Sequence, residues 1–417
     1  MAANVLPRVI GLNQLADEVA LADYKEARMF VREAHNVDID TVGNVSRRLG
    51  QVSVLSGSGY HSLYSSQRGW LMMCYKDQLG ILDPSTAFTP LVSMGSAYYT
   101  SYTEENGVLY VVNPIFSCMF KLNDYTVYPI GVPLPNVTPQ FTASTSQGSL
   151  LAGSYGVTYS IVDADGEESG LGPVVQIDLP EQGCIIGTLF TLATGQTYRI
   201  YMTTTDGEEL YQTAEFSASQ SSFTVMGHEE GRQPATFGLE PTPKGHIIRA
   251  FNARLLIGTT DFVYFTEAFR PHLHDPAHGW VATAGFATMV EPVEGGVFIA
   301  DKRGVKFYSG EDPTKWEVSD ATPDPVVYGT SSVVPGSYFS GELAKYDSVA
   351  VWLSVSGYQV GLPTGEVMQI NAEQVRLPNY VRGCSAYVVR DGRKQFITPV
   401  DSNVLASASV ALDSSIS

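Results

Sequence analysis

Charge is scarce in this chain, and positive charge scarcer still. Only 16% of its 417 residues are charged, and 25 Lys and Arg face 43 Asp and Glu, a formal net charge of −18. Holding phosphates takes clustered Lys and Arg, so this balance argues against wrapping nucleic acid or adhering to anionic membranes. It leaves ordinary solubility, or a conduit wall past which DNA slides without sticking. Cysteine is scarce too. Cys74, Cys118, Cys184 and Cys384 lie far apart, mostly in apolar strands, and form no C-x-x-C pair, which excludes a zinc ribbon or redox motif. They read as buried free thiols of a chain made in a reducing cytosol. No run of 18 apolar residues exists, so no membrane insertion is expected. The N-terminus lacks a basic region followed by an apolar stretch, so no signal peptide is expected and Asn136-Val-Thr reads as a chance glycosylation tripeptide.

What is abundant points to strands and turns. Hydrophobic residues make up 44%, with 39 glycines and 23 tyrosines, the profile of a well-cored β protein. Gly107-Val-Leu-Tyr-Val-Val-Asn-Pro-Ile-Phe, Arg254-Leu-Leu-Ile-Gly-Thr-Thr-Asp-Phe-Val-Tyr-Phe and Gly296-Val-Phe-Ile-Ala-Asp-Lys-Arg-Gly-Val-Lys-Phe-Tyr read alike. Each is an apolar strand, a tight turn and an aromatic-rich strand. Weaker copies run from Trp70 to Leu82 and from Val349 to Gln369. Outside one interruption the period is roughly 40 residues, about one four-stranded blade. The expectation is an all-β propeller of five or six blades.

The interruption has its own texture. Thr142–Gly148 is a polar linker; then Tyr155, Val157, Tyr159 and Ile161 alternate strictly before a turn at Asp165-Gly166, and Asp206-Gly207 closes a second hairpin. Residues 138–238 are therefore expected to form an inserted β-sandwich of immunoglobulin or fibronectin type III kind. Without a Cys…Trp…Cys framework the fibronectin-like form is preferred. The blades take 36–137 and 239–400. Residues 1–35 read as an arm, with Leu12, Leu15, Ala16 and Val19 on one face of a short helix, and 401–417 as a tail. How the propeller closes is left open by the sequence; velcro closure would require pairing of Val37–Val45 with Tyr387–Ile397.

Candidate chemistry is sparse. His272, His274 and His278, with Asp275, place three imidazoles and a carboxylate within seven residues, the donor types of a zinc or nickel shell. Pro276 breaks any helix that would align His274 with His278, and a blade-to-blade loop is the simpler reading. Asp163-Ala-Asp-Gly-Glu-Glu-Ser resembles half of a calcium loop, but Val174 stands where the twelfth-position glutamate belongs. A hairpin turn with capping Asp side chains explains it. Glu104, Glu105, Glu229, Glu230, Glu291 and Glu294 are the carboxylates from which a glycosidase pair would be drawn, yet none has a recognisable context. Asp312-Pro-Thr-Lys-Trp316 lacks the glycine of a sialidase Asp-box, and no nucleophile elbow, P-loop or dinucleotide fingerprint occurs. No catalytic residue, cofactor or metal is expected.

Asn36-Val-Asp-Ile-Asp…Gly43-Asn…Arg47-Arg48-Leu-Gly50 resembles the opening of tailed-bacteriophage virion propellers, the tail nozzle and packaged-DNA stabilisation proteins. Ala253-Arg-Leu-Leu-Ile-Gly…Val263-Tyr-Phe-Thr-Glu, Met289-Val-Glu-Pro-Val-Glu-Gly-Gly-Val-Phe-Ile and Phe307-Tyr-Ser-Gly-Glu-Asp-Pro…Trp316 match the same group in style and order, over roughly 35–135 and 245–400. The resemblance implies a non-enzymatic structural subunit in the tail or neck of a virion, made in the host cytoplasm. It implies a homo-oligomeric ring around the DNA exit channel, with adaptor and fibre proteins as partners and genomic DNA passing without sequence-specific binding. The rival expectations are a host-surface glycan-binding adhesin and, further off, a propeller glycosidase.

Overall fold

A computed structural model describes residues 8–17, 21–23, 28–35, 37–39, 43–47, 53–66, 69–83, 85, 87–121, 124–133, 139–217, 219–228, 230–339, 341–370, 380–390 and 393–401. The chain is all-β, propeller blades interrupted by a β-sandwich. Among the described residues there is no α-helix, only the short 3-10 turns Pro313–Lys315, Gly336–Tyr338 and Gly341–Lys345. Two compact units form: residues 1–93, 258–263 and 282–417, and residues 94–257 and 264–281.

The first unit holds three four-stranded antiparallel meanders, each in sequence order. They comprise Tyr60–Ser65, Leu71–Tyr75, Gln78–Leu82 and Phe88–Ser93; then Met289–Val293, Gly296–Asp301, Gly304–Ser309 and Glu317–Thr322; then Ser332–Pro335, Ser348–Ser354, Gly357–Gly361 and Val367–Gln369. Gly296–Ala300 and Val349–Leu353 are buried along their whole length, and their sequences are accordingly continuous apolar runs. Trp352 is the largest fully buried side chain, packed 5.6 Å from Phe298. Its indole Nε1 donates to Gln359 Oε1 at 2.9 Å, and Gln359 Nε2 donates to Asp324 Oδ2 at 2.9 Å, so the buried polar atoms are satisfied. The hairpin Ala386–Arg390 with Arg393–Ile397 sets Tyr387 and Phe396 against the cluster of Val334, Val349, Val351, Val360 and Leu362.

In the second unit Ser101–Glu105, Val108–Val112 and Ser117–Lys121 form a three-stranded sheet. Another sheet, most of whose residues belong to this unit, runs in the spatial order Glu240–Pro241, Arg270–His274, Phe262–Glu267, Arg254–Gly258, Ile247–Phe251. Between them in sequence lies the sandwich. One of its sheets has the order Gln140–Ser144, Cys184–Thr188, Ser222–Val225; the other Val175–Leu179, Gly153–Val162, Thr197–Thr203, Leu210–Ser217. Tyr155, Val157, Tyr159 and Ile161 all enter its core, as period-two alternation requires, and meet Tyr198, Ile200, Ile185 and Phe223.

Two expectations fail, and the velcro pairing does not form among the described residues. The N-terminal helix does not form: Arg8–Leu12 is a strand, parallel to Arg28–Val31. Asn13 ends it, its Oδ1 accepting from the N–H of Leu15 at 3.1 Å and of Ala16 at 2.9 Å, the local turn that this side chain offers in place of helix. Val37–Ile39 does not close on Tyr387–Ile397 but folds back on Val45–Arg47, with Gly43 at φ +88° in the turn between them. Local closure of so short a loop needs less chain ordering than a pairing some 350 residues away. Cys384 is exposed, unlike the other three thiols, because it sits just past a two-residue strand and not inside a packed one. Val19, Arg48, Asn136, Glu229 and residues 402–417 lie outside the described residues.

Candidate functional site

The three histidines are not gathered. Residues 270–274 form a strand, where a loop was expected, because Arg270–His274 finds partners on both sides in Phe262–Glu267 and Glu240–Pro241. His272 and His274 are buried there, while His278 is exposed on the following turn. Each ring takes its own partner. His272 Nε2 donates to the Glu168 carbonyl at 3.1 Å, His274 Nδ1 to the Glu240 carbonyl at 3.2 Å, and His278 Nδ1 lies 3.0 Å from Asp275 Oδ2. Among the described residues no group of three or more His, Cys, Asp and Glu side chains is placed to hold a metal ion.

What the fold does gather is a part-buried polar joint between the sandwich and the blade strand carrying His272, centred on Glu168. The turn leading to it is the half calcium loop. Asp163 Oδ1 accepts from the N–H of Asp165 at 3.0 Å and of Glu167 at 2.9 Å, so the first carboxylate caps backbone. Asp165 pairs with Lys121. Glu168 then turns inward. Its Oε1 accepts from Ser160 Oγ at 2.6 Å and Tyr201 O–H at 2.5 Å, and its Oε2 from Arg199 Nη1 at 2.6 Å. Arg199 Nε donates to Glu215 Oε1 at 2.6 Å, so one guanidinium bridges two carboxylates.

Side chains from adjacent sandwich strands thus converge on one carboxylate whose own backbone carbonyl holds His272. Burial, and then the Glu168 carboxylate, push the Tyr201 hydroxyl well above the usual phenol range. Burial acts to lower the Arg199 guanidinium, but Glu215 and Glu168 outweigh it and hold the charge more firmly. Gly131 closes the other side: a Cβ there would lie 2.2 Å from the Cβ of His272.

The carboxylates considered for hydrolysis scatter. Glu291 is buried and accepts from Ser331 Oγ at 2.7 Å, whereas Glu294 is exposed on the neighbouring turn. Glu104 and Glu105 end a strand, and Glu230 is exposed. Asp312 caps the turn Pro313–Lys315 by accepting from the N–H of Thr314. Tyr201 is buried, its hydroxyl donating into the Glu168 joint.

A pH response belongs to the sandwich edge. His228 lies tilted against Tyr211 with ring centres 6.2 Å apart, its Nδ1 is 3.2 Å from Thr213 Oγ1, and burial lowers its pKa below the ordinary 6.5, with Glu230 opposing. Since the folded pKa lies below the unfolded one, this contribution is fully present above about pH 6.5 and is lost as pH falls below it, where the unfolded chain takes up the proton first. His228→Gln is expected to flatten the decline in stability between about pH 7 and 5, read from urea unfolding at each pH. An unchanged slope would remove His228 from the account.

No family model and no curated protein matches the chain. Among solved structures, an extracellular domain assigned to a hybrid two-component system (BT4673) of B. thetaiotaomicron is similar at a TM-score of 0.29 and 10% identity, over 78% of this chain. The chain spans 35% of that one's length. BBS1N, solved in complex with ARL6DN, is similar at a TM-score of 0.32 and 12% identity, over 84% of this chain and 96% of that one. The AfRom2 CNH domain is similar at 0.18 and 11% identity, over 73% and 94%. At these scores none of the three bears on what the chain does.

Proposed function

We propose that this chain is a non-enzymatic structural subunit of a tailed-phage virion, a neck or tail component assembled as a homo-oligomeric ring around the DNA exit channel. The observation that carries the reading is the Glu168 joint. Here the insertion meets a blade strand where His272 Nε2 donates to the Glu168 carbonyl at 3.1 Å, and the Glu168 side chain is itself anchored within the sandwich by part-buried, charge-assisted bonds from Arg199 and Tyr201. Such a fixed attachment suits a part that transmits load. The sequence resemblance supports the same class of role.

The mechanism is mechanical and electrostatic. Rigid blades pack on neighbouring copies and on an adaptor, and the sandwich offers a docking face for fibres. With a net charge of −18 the ring repels the DNA that passes through it, so phosphates slide and do not adhere. The test is native mass spectrometry of the purified protein together with cryo-electron microscopy of virions. A ring of copies at the neck or tail is expected. A stable monomer absent from particles overturns the reading.

A further inference from the structure

Beyond assembly, one cleft of the second unit is built at a cost that folding does not explain. The turns at Glu105–Gly107, Asn252–Ala253 and Ala268–Phe269 converge on a space of about 200 Å³, whose lining includes Glu105, Asn106, Tyr110, Arg254, Phe269 and Pro271. Phe269 stands at its rim, 83% exposed and at φ +59°. That is the left-handed position of a turn beside a register shift at Thr266/Glu267, where glycine is the ordinary occupant. A side chain there strains the backbone, and a ring left in water returns nothing through packing. The strain is held in place: Phe269 N–H donates to the Ala253 carbonyl at 2.9 Å, and Ala253 and Asn106 are themselves at φ +59° and +46°. Strained positions that packing does not require concentrate at binding sites.

We infer that this cleft binds a neutral sugar ring, with the Phe269 ring as its stacking platform. An exposed aromatic face matches the C–H face of a pyranose, and the groups beside it match its hydroxyls. Tyr110 lines the wall, and burial, then Glu167 and Glu105, push its hydroxyl up to about 12, so it stays a donor. Glu105 supplies an acceptor and the Asn106 amide both kinds of group. The volume lies below the roughly 300 Å³ at which sites for drug-sized molecules begin, and so fits one ring. An anionic ligand does not fit. Arg254, the cation of the wall, already donates to the Thr266 carbonyl at 2.7 Å and lies 3.8 Å from Glu267, while Glu105 adds negative charge.

The test is saturation-transfer difference NMR on the full chain with the methyl glycosides of glucose, galactose, mannose and N-acetylglucosamine. Wild type should transfer saturation to the ring C–H protons of at least one glycoside. Phe269→Gly should lose that transfer at least five-fold while melting at or above the wild-type temperature, since glycine relieves the left-handed strain. Phe269→Trp should keep it, and Tyr110→Phe should weaken it without lowering the melting temperature. Transfer to none of the glycosides, or equal transfer in wild type and Phe269→Gly, overturns the inference. So does a change of oligomeric state in Phe269→Gly with no effect on sugar, which would make the ring a protein contact.

Discussion

Glu168→Ala lowers the unfolding free energy by about 2–3 kcal/mol, less than the about 3–5 kcal/mol for breaking a fully buried ion pair because this one is only part-buried. The cost is not one lost contact. Arg199, with a side chain 21% exposed, is left with Glu215 alone, and the hydroxyls of Ser160 and Tyr201 lose their acceptor. Each stranded donor carries its own desolvation penalty. The loss should be local before it is global. Hydrogen exchange followed by mass spectrometry should show faster exchange in 153–162, 197–203 and 210–217, the strands that supply the partners, with 289–322 unchanged. Glu168→Ala combined with Arg199→Met removes the stranded charge and should recover part of the loss. A Glu168→Ala protein within about 0.5 kcal/mol of wild type would show that water satisfies these groups and that the joint does not hold the sandwich.

Much of the fold was legible, and the reason is periodicity. Val108–Val112 and Gly296–Ala300 announce themselves as strands because blades bury both faces, and Tyr155 to Ile161 because large apolar residues alternate with small or polar ones, although both faces of that strand are buried. The joint was not legible. Its members are scattered: Ser160 lies 8 residues from Glu168, Arg199 31, Tyr201 33 and His272 104. No spacing rule joins such positions, and Glu168 itself stood in a run that imitates a metal loop. One signal was present. Arg199 falls between Tyr198 and Ile200 in a strand bounded by apolar core residues, and a cation in such a strand calls for a buried partner. The histidines show the reverse case. Closeness in sequence suggested a shared ion, whereas a strand and the turn after it hand each ring to a different neighbour. The N-terminal segment failed for a third reason. Its apolar spacing fits a helix, but Asn13 hydrogen-bonds two following amides and ends the segment as a strand.

Gly131→Ala tests the same joint from its blade side, and a loss of about 3–4 kcal/mol is expected from two separable causes. Gly131 has φ +78°, where an alanine costs about 1–2 kcal/mol. Its Cβ would also stand 2.2 Å from the Cβ of His272, an atom fixed to the backbone that no rotamer moves, and overpacking of this kind costs about 1–3 kcal/mol. Further variants divide the two. Adding His272→Gly to Gly131→Ala removes the clashing carbon and leaves the conformational share, together with the lost bond to Glu168. Gly131→Asn does the reverse: asparagine tolerates the left-handed region, so the collision remains as the main cost. If urea unfolding finds Gly131→Ala as stable as wild type, the loop at 131 moves freely past His272. Gly131 is then no part of what holds His272 against the Glu168 carbonyl.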